Sequence, residues 1–283
     1  MSAELEHWVE RAKQGDRRAA EALLSAVQDD LFRMARRMLG TRVEAEDATQ
    51  EILLKALTHL SEFRGESAFR TWLWRIAIRH LLHAKRGRRE QLAGFETLEL
   101  LLARGEAHSR ASDGVGPDDI TRAMNGERAL IVQELRLACT QGVLLSLARD
   151  QRIAWILAEV FELSGEEAAS VLEIEIPTYR KRLSRARERL ESWMRERCGL
   201  VNGANACRCA RQVPIARAYG VLDVERLEYA RHSGPALRVV AEANEIEAAA
   251  SVLKAFPNEA APPAVLARIR ALIDSGRYRV FEA

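Results

Sequence analysis

A chain of 283 residues that is 48% hydrophobic has room for about two small cores. Its 43 Lys and Arg stand against 41 Asp and Glu, a formal charge of +2, so partners must be sought in local runs of charge rather than in the total. No stretch approaches the ~18 consecutive apolar residues of a membrane span. Residues 1–13 include Glu4, Glu6, Glu10, Arg11 and Lys13 and lack a signal-peptide core, so no membrane insertion and a cytosolic location are expected. In that compartment the four cysteines are expected as reduced thiols or metal ligands rather than disulfides. Few aromatics and abundant Ala, Leu, Glu and Arg favour helices.

Residues 1–87 read as helical throughout. Ala19, Leu23, Leu24 and Val27, then Leu31, Met34, Ala35 and Met38, recur at helical spacing, with Gly40 placed to close that helix. A helix over about 43–61 follows. Asp47, Gln50, Glu51 and Leu54 share one of its faces at i, i+3, i+4 and i+7, while Ile52, Leu53, Ala56, Leu57 and Leu60 point the other way. That polar stripe suits either plain solvated surface or a protein partner. A loop at 63–67 leads to a helix over about 69–85.

From Ser67 to Arg89 there is no Asp or Glu. The stretch carries Arg70, Arg75, Arg79, Lys85, Arg86, Arg88 and Arg89, with His80 and His83, and Phe69, Trp72 and Trp74 interleaved. Cations neutralise phosphates, and exposed rings stack on unpaired bases. The alternative is that the rings are core and the arginines a solvated face.

Residues 88–126 contain Gly94, Gly105, Gly114, Gly116, Pro117 and Gly126 among many charges. They read as a functional or mobile connector with one short helix near 98–102. From 127 to 197 the pattern is helical again, with Leu130, Leu135, Leu144, Leu147, Ile153, Ile156, Leu157 and Val160 as core.

Within that section lies a helix-turn-helix. Ser164 and Glu167 have capping-box spacing for a helix over 166–172. A turn at Glu173, Ile174 and Glu175 precedes a second helix that starts near Pro177, which needs no backbone donor in a first turn. Ile176, Leu183, Ala186 and Leu190 are placed inward. Thr178, Tyr179, Lys181, Arg182, Arg185 and Arg189 are expected outward; with Arg180 and Arg187 they make an Arg-rich face, diluted by Glu188 alone. A recognition helix presents such residues to the major groove and flanking phosphates.

Two blocks resemble the extracytoplasmic-function group of bacterial RNA polymerase sigma factors. Residues 44–51 (EAEDATQE) and 63–77 (FRGESAFRTWLWRIA) are similar to its region 2. Residues 163–172 (LSGEEAASVL) and 183–187 (LSRAR) are similar to its region 4. The resemblance covers about residues 5–195. It implies an all-α protein: two small helical domains, region 2 at 1–87 and region 4 at 127–197, joined by a linker at 88–126, plus a helical C-terminal extension at 198–283. It also implies that Asp47, Gln50 and Glu51 dock on core RNA polymerase. Phe63, Arg64, Ser67, Phe69, Arg70, Trp72, Trp74, Arg75 and Arg79 would engage and melt the −10 promoter element, and Thr178, Tyr179, Lys181, Arg182 and Arg185 would read the −35 element. The chain departs from the pattern at Arg79, where Asn is usual, and at Glu173 and Pro177, where Gly is common.

The family usually ends near Arg197, whereas this chain continues. Cys198, Cys207 and Cys209 fall within twelve residues on a Gly/Asn loop and can converge on zinc or another thiophilic metal. Cys139 and His232 are candidates for a fourth ligand. Arg197, Arg208 and Arg211 are expected to lower the thiol pKa values, which would favour metal binding or oxidation; inert thiols are the third option. Helices are expected near 221–232, 235–255 and 262–275, as a tail that regulates in cis or recruits a partner, an anti-sigma factor among the candidates. No phosphate-cradling Gly loop, nucleophile motif or His/carboxylate cluster points to an enzyme. The competing reading is a helix-turn-helix regulator that binds DNA without recruiting polymerase.

Overall fold

The computed structural model describes residues 2–111, 127–230, 245–254 and 259–274. These form thirteen α-helices and one 3-10 turn, with no strand among the described residues. In order they are α1 (Ser2–Lys13), α2 (Arg17–Met38), α3 (Arg42–Thr58), the turn Leu60–Glu62, α4 (Phe69–His83), α5 (Arg88–Leu92) and α6 (Phe95–Ala111). Then come α7 (Glu127–Leu145), α8 (Arg149–Glu159), α9 (Gly165–Leu172), α10 (Ile176–Arg197), α11 (Cys209–Ala218), α12 (Glu245–Lys254) and α13 (Pro263–Asp274). The chain divides into two compact units. One comprises Met1–Gly87, Ile156–Arg182 and Glu259–Ala283, the other Arg88–Trp155 and Leu183–Asn258.

In the first unit, α2 starts where the Asp16 side chain accepts the Ala19 N–H, and its stripe from Leu23 to Met38 is buried. Burying each such side chain is worth about 1.5–3 kcal/mol. The helix is closed by Leu39 in an extended conformation, its N–H on Ala35 O at 2.8 Å, and not by Gly40. A capping box opens α3: Glu44 N–H donates to Thr41 Oγ1 at 3.2 Å and Thr41 N–H donates to Glu44 Oε2 at 2.8 Å. This cap, missed in the sequence, fixes the start of the helix that carries Asp47, Gln50 and Glu51. Leu73, Ala77, Ile78 and Leu81 form the inner face of α4. Trp74 packs edge-on against Phe161, centroids 4.9 Å apart.

The second unit corrects the expectation of an unpacked connector. Residues 88–111 fold into α5 and α6; residues 112–126 lie outside those described. Glu90 explains the ordering. Its buried carboxylate accepts from Arg149 at 2.8 and 2.5 Å and from Arg152 at 3.0 Å. Arg152, itself buried, also donates to the carbonyls of Leu144, Leu145 and Leu147 at 3.1, 2.6 and 2.9 Å, so all three of its nitrogens are hydrogen-bonded. Leu130, expected in the core, is exposed.

The helix expected at 221–232 does not form over 221–230. The Glu134 carboxylate instead accepts the N–H groups of Glu228, Tyr229 and Ala230 at 2.7, 2.8 and 2.7 Å. Those donors are taken by a side chain from α7, so a helical ladder has no claim on them. Residues 231–244, including His232 and Pro235, lie outside the described residues. Of the helix expected at 235–255, the described residues 245–254 are helical as α12; the one at 262–275 is seen as α13, and α11 is a further helix without a counterpart among the expected ones.

Candidate nucleic-acid interface

The helix-turn-helix is built from its cap outward. Ser164 N–H donates to Glu167 Oε2 at 2.9 Å and Glu167 N–H returns to Ser164 Oγ at 3.2 Å. The Ser164 N–H, then its hydroxyl, hold the Glu167 carboxyl below its usual range. Glu173 ends α9 in the left-handed region, at φ 54° and ψ 42°. Glycine fits there without strain; a residue with a Cβ does not. Ile174 N–H closes back on Ala169 O at 3.1 Å, and α10 begins at Ile176 with Pro177 in its first turn.

On α10, Thr178, Lys181 and Arg185 are exposed on one face, at i, i+3 and i+7. Arg182 is half-buried. Tyr179 corrects the reading: only 2% of it is exposed, not the outward position expected. It falls seven residues before Ala186 and eleven before Leu190, both buried, so the helical period already assigned it to the inner stripe.

The aromatic residues of the acid-free stretch are mostly core. Phe63, Phe69 and Trp74 are buried, and Trp72 is half-buried. Phe63, Phe69 and Trp72 form one cluster with centroids 5.5–5.6 Å apart. Phe69 N–H donates to Glu6 Oε1 at 3.1 Å. Arg70 is paired with Asp30 and lies over the Trp74 ring. Arg75 donates to Ser170 O at 3.3 Å and to Ser170 Oγ at 3.2 Å, and Arg79 to Glu173 Oε2 at 2.9 Å. Arg64 is exposed and Ser67 half-buried. A groove of about 670 Å³ is lined by Trp72, Ile76, Arg79, His80 and His83 of α4, with Lys55 and His59 among the facing residues. Burial, then the Lys55 ammonium, push the His80 pKa below its usual value, so this imidazole is neutral near pH 7.

On α3, Asp47 and Glu51 are exposed and Gln50 is half-buried. Gln50 Oε1 accepts from Arg268 Nη1 of α13 at 3.3 Å, and the same guanidinium stands 3.9 Å from Asp47. No sequence signal links residues 218 positions apart.

Cys198, Cys207 and Cys209 do not stand alone. Burial first, then the other three thiols, push the Cys139 thiol well above its usual range. Burial also raises Cys198 and Cys209 and pushes Cys207 up to about 12. The expected lowering by neighbouring arginines is therefore overturned. Arg208 is turned onto the carbonyls of Asn205, Cys207 and Gly203. The cation nearest in effect to Cys209 is Arg136 of α7. The loop is closed on itself by backbone: Val201 N–H and Asn202 N–H donate to Cys198 O at 3.2 and 3.0 Å. Among the described residues no three His, Cys, Asp or Glu side chains stand ready in a metal-binding array.

A capped helix-turn-helix with a basic exposed face, together with a second Trp/Arg helix beside a groove, defines a two-part helical DNA-binding protein. Residues 23–91 match Sigma-70 region 2, and residues 137–190 match Sigma-70, region 4. The RNA polymerase sigma-H factor of Pseudomonas aeruginosa is 34% identical over 65% of this chain and 90% of its own length. The ECF RNA polymerase sigma-E factor of Escherichia coli is 32% identical over 65% of this chain and 91% of its own. The sigma factor RpoE of Bartonella quintana, solved with the anti-sigma factor NepR, covers 60% of this chain and 92% of its own at 25% identity, with a TM-score of 0.37. The chain belongs to the extracytoplasmic-function sigma factors of the sigma-70 family, with a C-terminal extension beyond its region 4. No helix among the described residues is long and apolar enough to cross a membrane.

Proposed function

We propose that this sigma factor binds core RNA polymerase through the α3 face of Asp47, Gln50 and Glu51 and directs it to promoters in the cytoplasm, without catalytic activity of its own. The exposed row of Thr178, Lys181 and Arg185 on α10 reads the −35 element, and residues 63–79 engage the −10 element. The observation that carries this reading is the presence, in one chain, of both matched regions with an exposed basic face on the second helix of the helix-turn-helix. For the −10 element, the groove beside Trp72 and Arg79 has room for an extruded base, with the neutral His80 ring as a hydrogen-bonding wall. Purified chain plus core polymerase should start transcription on a cognate promoter. A chain that binds promoter DNA but not core polymerase would be a plain helix-turn-helix regulator instead.

The cysteines fit a second, structural role: Cys198, Cys207 and Cys209, with Cys139 as fourth ligand, bind zinc or a similar thiophilic ion. All four are free thiols, and three of them fall within twelve residues, which supports this reading. Binding would have to draw the sulfurs closer and release their protons.

A further inference from the structure

The C-terminal segment 259–274 lies on the helices that carry the polymerase-docking residues, and it is held there in three ways. Val265, Leu266, Ile269 and Ile273 are buried on one face of α13, which packs against α2 and α3. Ahead of the helix, the buried Glu259 carboxylate accepts from Arg42 at 2.5 Å and stands 3.9 Å from Arg36, while Ala261 N–H donates to Asp29 Oδ1 at 2.9 Å. On the solvent side, Arg268 bonds Gln50 and faces Asp47, and Arg270 Nε stands 3.1 Å from Glu21.

Glu259 enters a concentration of positive charge. Arg36 and Arg37 are almost wholly buried, and Arg33 and Arg42 are near. Burial, then Arg33 and Arg36, lower the Arg37 pKa to about 10, and Glu259 opposes that shift. A carboxylate is the ligand such a cluster selects. The Arg268–Asp47 pair, by contrast, has 62% and 66% of its side chains exposed and holds weakly. The segment is therefore fixed by its apolar face and by Glu259. At Arg268 it contacts two of the three side chains that polymerase would need.

We propose that residues 259–274 are a built-in occupant of the α2/α3 face, competing with core RNA polymerase for Asp47 and Gln50. The inference rests on the docking role assigned to those residues above. Core polymerase binds the form in which the segment has lifted, and its apparent affinity falls with the fraction of chains in that form. A strap closed in about 90% of molecules weakens apparent affinity about tenfold.

The test measures the affinity of the full chain for core polymerase, together with amide exchange over residues 47–51. Ile269→Asp places a charge in the buried stripe and should tighten polymerase binding about tenfold while speeding exchange in α3. Arg268→Glu, at an exposed site that cannot unfold the unit, should tighten it about threefold. A synthetic peptide of residues 259–274, added to the Ile269→Asp chain, should compete with polymerase, and a Glu259→Gln peptide should compete at least tenfold less well. Unchanged affinity in both full-chain variants, or a peptide that does not compete, overturns the strap. Asp47→Arg in the Ile269→Asp background separates the two readings: if it leaves polymerase binding unchanged, the docking assignment itself fails.

Discussion

Arg79 Nη2 donates to Glu173 Oε2 at 2.9 Å, joining the acid-free helix α4 to the left-handed turn of the helix-turn-helix. The pair is solvent-exposed, with 68% and 52% of the two side chains accessible, so its contribution is at most about 1 kcal/mol. It cannot be the main energetic feature of a turn whose backbone strain, at φ 54°, is of the order of 1–2 kcal/mol.

Glu173→Ala loses the ion pair and keeps the strain; Glu173→Gly loses both. The glycine variant should be more stable than the alanine variant by about 1 kcal/mol, after the entropy glycine adds to the unfolded chain. Urea denaturation monitored by circular dichroism measures this, and equal stabilities would refute the strain argument.

Glu90 should control the stability of the second unit. Burial opposes its charge, but the Arg149 hydrogen bond and the Arg152 charge more than offset that and hold its pKa below the usual 4.5. A depressed carboxylate pKa stabilises the fold above the unfolded value and loses that contribution as pH falls through the folded one. Glu90→Gln leaves Arg152 buried without its counter-charge and should cost about 3–5 kcal/mol near pH 7. The gap between wild type and variant should narrow below pH ~4.5. A gap that stays constant from pH 7 to pH 3 would show that the carboxylate charge is not what matters.

The burial of Tyr179 separates DNA contacts from core on α10. Lys181→Ala and Arg185→Ala should each weaken promoter binding and reduce its salt slope by about 1, with little loss of stability. Tyr179→Ala should cost about 3 kcal/mol or more in stability. Salt-dependent binding titrations and thermal melts distinguish them, and a stable Tyr179→Ala chain with a defect confined to promoter binding would reverse the assignment.

For the cysteines, protein purified under reducing conditions should carry one thiophilic ion per chain by elemental analysis. Cys139→Ser should lower occupancy as much as Cys207→Ser, although Cys139 is on α7, far from the loop in sequence. Because the thiols are held protonated, with Cys207 at about 12, affinity should rise steeply with pH between about 7 and 9. Metal-free protein, or full occupancy without Cys139, would exclude a four-thiolate site.

What the sequence determined by itself is local or periodic. The Ser164–Glu167 box, the turn at Glu173, the Leu23–Met38 stripe and the position of α13 follow from neighbours within about one helical turn, so short-range rules suffice. The exposed stripe of Asp47 and Glu51 and the exposed row on α10 were legible for the same reason, and the helical period places Tyr179 with the buried Ala186 and Leu190. Tertiary structure decided wherever a charge finds its partner across tens or hundreds of residues. Glu90 turned a supposed connector into packed helices. Glu134 took the backbone donors that a helix at 221–230 needed, and Glu259 and Arg268 brought the tail onto α2 and α3. A buried ion or thiol selects whichever complementary group the fold brings near, and no periodicity in the chain encodes that choice.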